Sequence, residues 1–382
     1  MNKIDQFLKR ALELSSSDLH FISGDPPRVR IHGSLTSLND EVLTIDVVKD
    51  AVYEIMDGQL QRDFEKDDAA DFAYEIPGVS RFRVNVMRHL NGYGAVMRAI
   101  PSKALTLEKL NMPEVVHNLC KQTQGMILVT GKTGSGKSTT LAAMVDAINK
   151  RIKGHILTIE DPIEFVHVSK GCLISQREVG KHTGSFADAL HSALREDPDV
   201  ILVGELRDLE TISIAVTAAE MGILVMGTLH TNGAGQTVDR MVNTFPADKQ
   251  SHIRTMLSTS LRGVISQQLL PLKNEPGRVA ALEILVNTSG VANVIRQGRL
   301  DQLETAMQSG GATGMQTMDS ALMDLVKRDI ISGQEAYQQA NNKEKFRAVR
   351  DNPDALDGPD DPDDPDDPDD PLDEEFLPAL GQ

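Results

Sequence analysis

A glycine-rich stretch that ends in lysine and serine occupies residues 131–138, where the chain reads GKTGSGKS. It lies between a β-branched run at 127–130 and a helical pattern at 139–150, the context expected of a phosphate-binding loop. The glycines let the backbone curl so that N–H groups point at a polyphosphate, and the following helix directs its positive end there. We therefore predict that a nucleoside triphosphate binds Gly131, Thr133, Gly134, Ser135, Gly136, Lys137, Ser138 and Thr139.

Carboxylates follow two other apolar runs. Glu205 ends one of them, where phosphate-loop enzymes place an acid that polarises Mg²⁺ or water. Glu160, Asp161 and Glu164 follow the other, and several acids at one strand end repel each other unless a cation or water lies between them. A cap on the next helix and a solvated surface cluster are the alternative interpretations. The predicted Mg²⁺ ligands are Ser138, Glu160 and Glu205.

A histidine and several arginines complete the candidate residues. His230 ends a fourth apolar run, where an imidazole can contact the γ-phosphate or relay the state of the site, and a purely structural role is the alternative. A guanidinium against the transferring phosphoryl group assists hydrolysis, and a neighbouring subunit often donates it. The candidates for this role are Arg81, Arg83, Arg195, Arg207 and Arg240. For each of them, a surface ion pair is the alternative interpretation.

The elements that position these residues form two groups. The first hundred residues predict a small α+β domain, with helices at 1–14 and 46–56, strands at 19–22 and 29–31, and a hairpin over 81–100. Further along, short apolar strands alternate with helices, which predicts an α/β, doubly wound and mostly parallel sheet with the nucleotide at its carboxyl edge. These strands are 126–130, 155–160, 199–204 and 224–229, and residues 290–350 are mainly helical.

The predicted boundaries are an N-terminal domain at 1–100, a linker at 101–112, a nucleotide-binding domain with a helical C-terminal part at 113–350, and a tail at 351–382. The tail holds fourteen acidic residues, no Lys or Arg, and four copies of Asp-Asp-Pro. Proline at every third position forbids a helix and like charges repel, so we predict an extended, disordered segment. Solvation is a simpler role for it than binding a basic partner.

Composition excludes several classes of protein. The net charge of −17 comes almost entirely from the tail, because 42 acidic residues elsewhere face 39 basic ones. A near-neutral body with four Tyr and no Trp offers neither a basic groove nor a stacking platform, which argues against nucleic acid. Two cysteines exclude a disulfide framework or zinc module and fit a cytoplasmic compartment. With no apolar run of about 18 residues, we predict no direct membrane insertion.

Four motifs in a fixed order carry a family resemblance. They are GKTGSGKS at 131–138, EDPIE at 160–164, the run from 199 to Glu205, and GTLH at 227–230. Together they resemble the ATPases of type II secretion and type IV pilus machines, in particular the type IV pilus retraction ATPase (PilT) family. The similarity covers roughly residues 1–345, which is everything except the tail.

The resemblance implies a PAS-like N-terminal domain, a RecA-like phosphate-loop domain, and a homo-hexamer that hydrolyses ATP with Mg²⁺. Residues matching the family motifs would act as general base (Glu164), Walker B acid (Glu205) and nucleotide sensor (His230). Arginines at Arg81, Arg83 and Arg195 would complete the site. The ring would lie on the cytoplasmic face of the inner membrane and drive pilus retraction and twitching motility through an inner-membrane platform protein. A paralogous retraction ATPase is a further candidate partner.

Two departures from the family pattern bear on function. The family has a second histidine where this chain has Ile223, which predicts that one nucleotide sensor is missing. A late helical motif linked to retraction is degenerate at 291–297. The first departure favours an accessory, weakly hydrolysing subunit of the PilU type, whereas intact Lys137, Glu164 and Glu205 favour an autonomous motor. An assembly or secretion ATPase fits less well, because those proteins carry a four-cysteine zinc module.

Overall fold

Two β-sheets organise the chain, and the computed structural model describes residues 2–31, 34–100 and 104–351. The first sheet has six antiparallel strands in the order β3-β2-β1-β6-β5-β4. Its elements are α1 (Asp5–Glu13), β1 (Asp18–Ile22), β2 (Arg28–Ile31), β3 (Ser34–Ser37), α2 (Ile45–Glu54), α3 (Gly58–Asp67), β4 (Ala69–Ile76), β5 (Ser80–His89) and β6 (Gly92–Ile100). The predicted hairpin is β5–β6, in which His89 pairs with Gly92 across the turn.

The alternation of apolar residues explains why one face of this sheet is buried. Phe82, Val84 and Val86 of β5 point inward, together with Phe21 of β1 and Phe64 of α3. Thr44 and Asp57 accept hydrogen bonds from the first turns of α2 and α3 and so fix where these helices begin. The sequence analysis did not anticipate β3, α3 or β4.

The second sheet has seven strands in the order β13-β12-β7-β11-β10-β8-β9, all parallel except β13. Its strands are β7 (Gly125–Thr130), β8 (His155–Glu160), β9 (Leu173–Glu178), β10 (Val200–Val203), β11 (Leu224–Leu229), β12 (Leu261–Pro271) and β13 (Arg278–Val286). The helices are α4 (Glu114–Leu119), α5 (Lys137–Arg151), α6 (Phe186–Ala193), α7 (Leu209–Glu220), α8 (Ala234–Asn243), α9 (Ala247–Ser260), α10 (Ser289–Gln297), α11 (Leu303–Ser309), α12 (Met318–Lys327), α13 (Gly333–Gln339) and α14 (Arg347–Asp351).

The central strands are apolar throughout because helices cover both of their faces. Every residue of β7, β10 and β11 is buried, and two hydrophobic clusters lie on opposite sides of the sheet. The predicted α/β fold class is confirmed, and so are the four predicted strands. The sequence analysis missed β9, β12 and β13. Because β7, β11, β10 and β8 are neighbours in that order and run parallel, their carboxyl ends lie side by side at one edge of the sheet.

The last strand of the first sheet ends at Ile100 and α4 begins at Glu114. Residues 101–103 of the predicted linker and the acidic tail from 352 onward lie outside the described residues. The domain boundaries therefore stay predictions. Across the parts of the chain that the structure describes, no helix is both long and apolar enough to cross a bilayer.

Candidate active site

The phosphate loop connects β7 to α5 at the carboxyl edge of the second sheet. Gly131, Gly134 and Gly136 have φ values of +138°, +81° and +88°, a left-handed region that side chains disfavour. A Cβ atom on Gly131 would lie 2.3 Å from the backbone oxygen of Gln267 on β12. Glycine is therefore required at the first loop position, both by the backbone conformation and by the close approach of the neighbouring strand.

The donors of this loop suit a polyphosphate. Lys137 is buried at the start of α5, and its ammonium donates to the carbonyl oxygens of Gly131 and Lys132 at 2.9 and 3.1 Å. Burial lowers the pKa of Lys137, although the charge of Glu205 opposes the shift. The buried Ser135 hydroxyl has no hydrogen-bond partner among the described residues. A buried ammonium and an unpaired hydroxyl at a helix N-terminus fit a triphosphate.

Glu205 lies two residues after β10, between two basic side chains. Arg207 Nη2 is 2.6 Å from Glu205 Oε2, and His230 Nε2 is 3.4 Å from Glu205 Oε1. Burial acts to raise the pKa of Glu205, but the hydrogen bond and charge of Arg207, assisted by His230, outweigh it and hold the pKa below its usual value. The predicted acid and the predicted sensor are therefore in direct contact, and the acid is ionised at neutral pH.

Glu160 is buried at the end of β8 and supports the segment that carries Glu164. Its carboxylate accepts from the Thr158 hydroxyl at 2.7 Å, from Gln176 Nε2 at 3.2 Å and from the Glu164 backbone N–H at 3.1 Å. Burial raises the pKa of Glu160 above its ordinary value. Three protein donors thus occupy the Glu160 carboxylate and join it to the backbone of Glu164, and its predicted role as a Mg²⁺ ligand stays a prediction.

Two of the predicted arginines join the first sheet to the segment after β8. The Arg81 guanidinium forms an ion pair with the buried carboxylate of Glu178, which also accepts from the Ile163 N–H at 3.1 Å. Arg83 Nη1 lies 3.9 Å from Glu164 Oε1. The structure therefore brings these arginines to the acidic motif from a different sheet.

Arg195 is placed differently from Arg81 and Arg83. It is exposed, two residues after α6, and its side chain forms no hydrogen bond or ion pair with any residue that the structure describes. Among the described residues, nothing ties the Arg195 side chain to the phosphate loop, and its role stays a prediction.

Ile223 lies at the opposite edge of the sheet from the phosphate loop. It directly precedes β11, whereas His230 directly follows that strand, so about 23 Å separates them at about 3.3 Å per residue. The Ile223 side chain packs against the hydrophobic core on one side of the sheet. A histidine at this position would lie far from the phosphates bound by its own chain, and the interpretation of Ile223 as a missing nucleotide sensor stays a prediction.

Sequence reasoning missed Gln267, which contacts the phosphate loop from β12, and Glu178, which pairs with Arg81. Both are polar side chains that are almost fully buried, with exposures of 2% and 4%. For Gln267, a polar residue in a mostly apolar strand was the available signal, because buried polar groups need partners, whereas Glu178 ends a strand of mixed polarity that gives no such signal. The partners themselves lie far away in sequence.

A phosphate loop between a buried parallel strand and a helix, with an ionised acid at the end of a nearby strand, defines a P-loop nucleotide-binding protein. The type II/IV secretion system protein family model matches residues 1–352. The type IV pilus retraction ATPase PilT of Pseudomonas aeruginosa is 50% identical over 343 residues, which cover 90% of this chain and 99% of that protein. The type IV pilus ATPase PilU of the same organism is 38% identical over 347 residues, or 91% of each chain.

Structural similarity leads to the same family. The crystal structure of the pilus retraction motor PilT with bound ADP matches with a TM-score of 0.84 and 44% identity, covering 90% of this chain and 99% of that one. The chain belongs to the type II/IV secretion system protein family and, within it, to the type IV pilus retraction ATPases. It is an ATPase, and the resemblance identified from its motifs is confirmed.

Proposed function

We propose that the protein is a homo-hexameric motor that hydrolyses ATP to drive type IV pilus retraction. The observation that supports this most directly is the ionised Glu205, held between Arg207 and His230 at the same sheet edge as the phosphate loop. A carboxylate that can hold Mg²⁺ and a lysine in the phosphate loop are the groups that P-loop enzymes use for phosphoryl transfer. Similarity to retraction ATPases over nine-tenths of the chain supplies the biological role.

Within the site, the phosphate loop would hold the triphosphate, with the Lys137 ammonium exchanging its loop carbonyls for phosphate oxygens. We propose that Ser138 and Glu205 would hold Mg²⁺, which would neutralise charge on the phosphates. Glu164 is about half exposed, with its N–H bonded to Glu160 and its carboxylate 3.9 Å from Arg83 Nη1, so water can reach the carboxylate. We assign Glu164 as the general base and Glu160 as the residue that positions it.

The arginines link this chemistry to movement of the first sheet. Arg81 pairs with Glu178 on β9, and Arg83 lies near Glu164 in the segment after β8. A change in charge at Glu164 would therefore weaken or strengthen its contact with Arg83 on the N-terminal sheet. Arg195 remains available to a neighbouring subunit. We propose that successive rearrangements around the ring act on an inner-membrane platform protein from the cytoplasmic face, with a paralogous ATPase as a further partner.

The accessory, PilU-like function is the weaker candidate. Its support in the sequence was Ile223, and that residue lies about 20 Å from the phosphate end of its strand. Lys137, Glu164 and Glu205 are all in place at the carboxyl edge of the sheet. We therefore propose turnover by this protein alone.

Steady-state ATP turnover of the full-length protein tests the proposal, with light scattering to count subunits. Glu205→Gln is expected to lower kcat roughly a hundredfold or more, since it removes the acid that acts on Mg²⁺ or water. The matched control is Glu220→Gln, an exposed glutamate at the end of α7, which should retain turnover. An unmodified protein that binds ATP without turnover would contradict an autonomous motor and favour the accessory function.

A further inference from the structure

A glutamine on β12 lies beneath the phosphate loop. Strand β12 runs parallel to β7 with Ser266 opposite Thr130, so the next residue, Gln267, is adjacent to Gly131 where the loop begins. Gln267 is 2% exposed. Its backbone and side chain both face the loop, because Cβ atoms built on Gly131 and Gly136 would lie 2.3 Å from its carbonyl oxygen and 2.7 Å from its Nε2 atom, respectively.

The amide of Gln267 connects the middle of the loop to the first turn of α5. Its Nε2 atom donates to the Ser135 carbonyl oxygen at 2.6 Å, and its Oε1 atom accepts from the Thr140 hydroxyl at 2.7 Å. Thr140 is 1% exposed and Ser135 is 6% exposed, so water does not compete for these bonds. The two contacts lie on either side of Lys137, the residue that must reach the phosphates.

We infer that Gln267 is a positioning residue that sets the shape of the phosphate loop and thereby the affinity for nucleotide. The inference rests on the proposed function only in taking this loop as the nucleotide site. An amide is required because one end must donate to a carbonyl and the other must accept from a hydroxyl. A carboxylate would place an acceptor against the Ser135 carbonyl oxygen, and a thioether would leave both buried partners unsatisfied.

The neighbouring residue provides a matched control. Gln268 has the same side chain on the same strand, but adjacent strand residues point to opposite faces of a sheet. Neither amide atom of Gln268 bonds to the loop in the described part of the chain. Gln268→Met therefore makes the same chemical change without touching Ser135 or Thr140.

The test is calorimetric titration of full-length protein with MgADP, which requires no turnover. Gln267→Met is expected to raise Kd about tenfold, as for the loss of one or two buried hydrogen bonds, while Gln268→Met stays within about twofold of the unmodified protein. Thr140→Val should weaken binding by itself and add little in the double variant, because both changes break one connection. Thr140→Ser keeps the hydroxyl and should restore affinity.

Steady-state kinetics separate positioning from general stability. A positioning role raises KM for ATP more than it lowers kcat, whereas mere loss of stability lowers the melting temperature without moving either Kd or KM. Equal Kd values for Gln267→Met and Gln268→Met would overturn the inference, as would full additivity with Thr140→Val. If Gln267→Met does not fold, the Kd values of Thr140→Val and Thr140→Ser test the inference instead. A higher Kd for Thr140→Val supports it, and equal values overturn it. Absence of turnover in the unmodified protein would contradict the proposed function and leave this result standing.

Discussion

Replacing Glu178 by glutamine breaks the ion pair that joins the two sheets. The Glu178 side chain is 6% exposed and that of Arg81 is 15% exposed, so both charges are largely removed from water. Glutamine keeps the size of the side chain, and its oxygen can still accept from the Ile163 N–H, which lies 3.1 Å from the carboxylate. The substitution therefore removes one charge and leaves the guanidinium of Arg81 buried without a counter-ion.

Removing one partner of a buried ion pair costs about 3–5 kcal/mol of folding free energy. Because Arg81 keeps some contact with solvent, the lower end applies, and we expect Glu178→Gln to cost about 3 kcal/mol. At about 2 °C per kcal/mol for a large chain, the melting temperature should fall by about 6 °C. A second contact from the same strand gives the control. Asp71 lies 3.4 Å from Arg83 with both side chains about half exposed, and Asp71→Asn should cost under about 1 kcal/mol.

Scanning calorimetry of the full-length variants measures both shifts under one set of conditions. Combining Glu178→Gln with Arg81→Met should recover part of the loss, since the double variant no longer buries an unpaired charge. A melting temperature for Glu178→Gln equal to that of Asp71→Asn would refute the reasoning. So would a double variant less stable than either single one.

Four further substitutions test the positions of residues near the phosphate loop and at the far end of β11. Ile223→His should leave ATP turnover within about twofold, because position 223 lies at the far end of its strand; a clear rise would contradict that placement. Arg207→Met should raise the pKa of Glu205, so the acidic limb of the pH–rate profile moves to higher pH. Ionised Glu205 contributes folding stability above the pKa that it has in the unfolded chain, and this stability is lost as the pH falls through its pKa in the folded protein. The contribution should be smaller in Arg207→Met. An acidic limb that does not move would contradict the effect of Arg207 on Glu205. Gly131→Ala should abolish MgADP binding, because its Cβ would lie 2.3 Å from a backbone oxygen. A Cβ atom on Gly134 would have no neighbour within 4 Å, so Gly134→Ala should cost only the backbone strain of about 1–2 kcal/mol for a left-handed residue. Equal Kd values for Gly131→Ala and Gly134→Ala would contradict the steric argument.

The parts of the site that were predictable from sequence are those encoded locally. Residues 131–138 are contiguous, and the buried parallel strands are apolar over their whole length, so pattern alone locates the loop and its sheet. Strand β9 lies at an edge with mixed polarity, and β12 contains adjacent glutamines, so neither shows a clear period. The contacts of Gln267 and Glu178 join residues about a hundred or more positions apart, which no local pattern reveals.

The acidic motif after β8 illustrates how burial divides similar residues among different roles. Glu160 is buried with three protein donors and fixes the backbone of Glu164, whereas Glu164 itself is about half exposed beside Arg83. Glu178, from β9, holds the N–H of Ile163 and the guanidinium of Arg81 together. One short segment is thus bonded at successive residues to the sheet that carries the phosphate loop and to the N-terminal sheet. In the proposed motor, a change of charge at Glu164 would therefore act on the N-terminal strands through these contacts, without a long relay through the core.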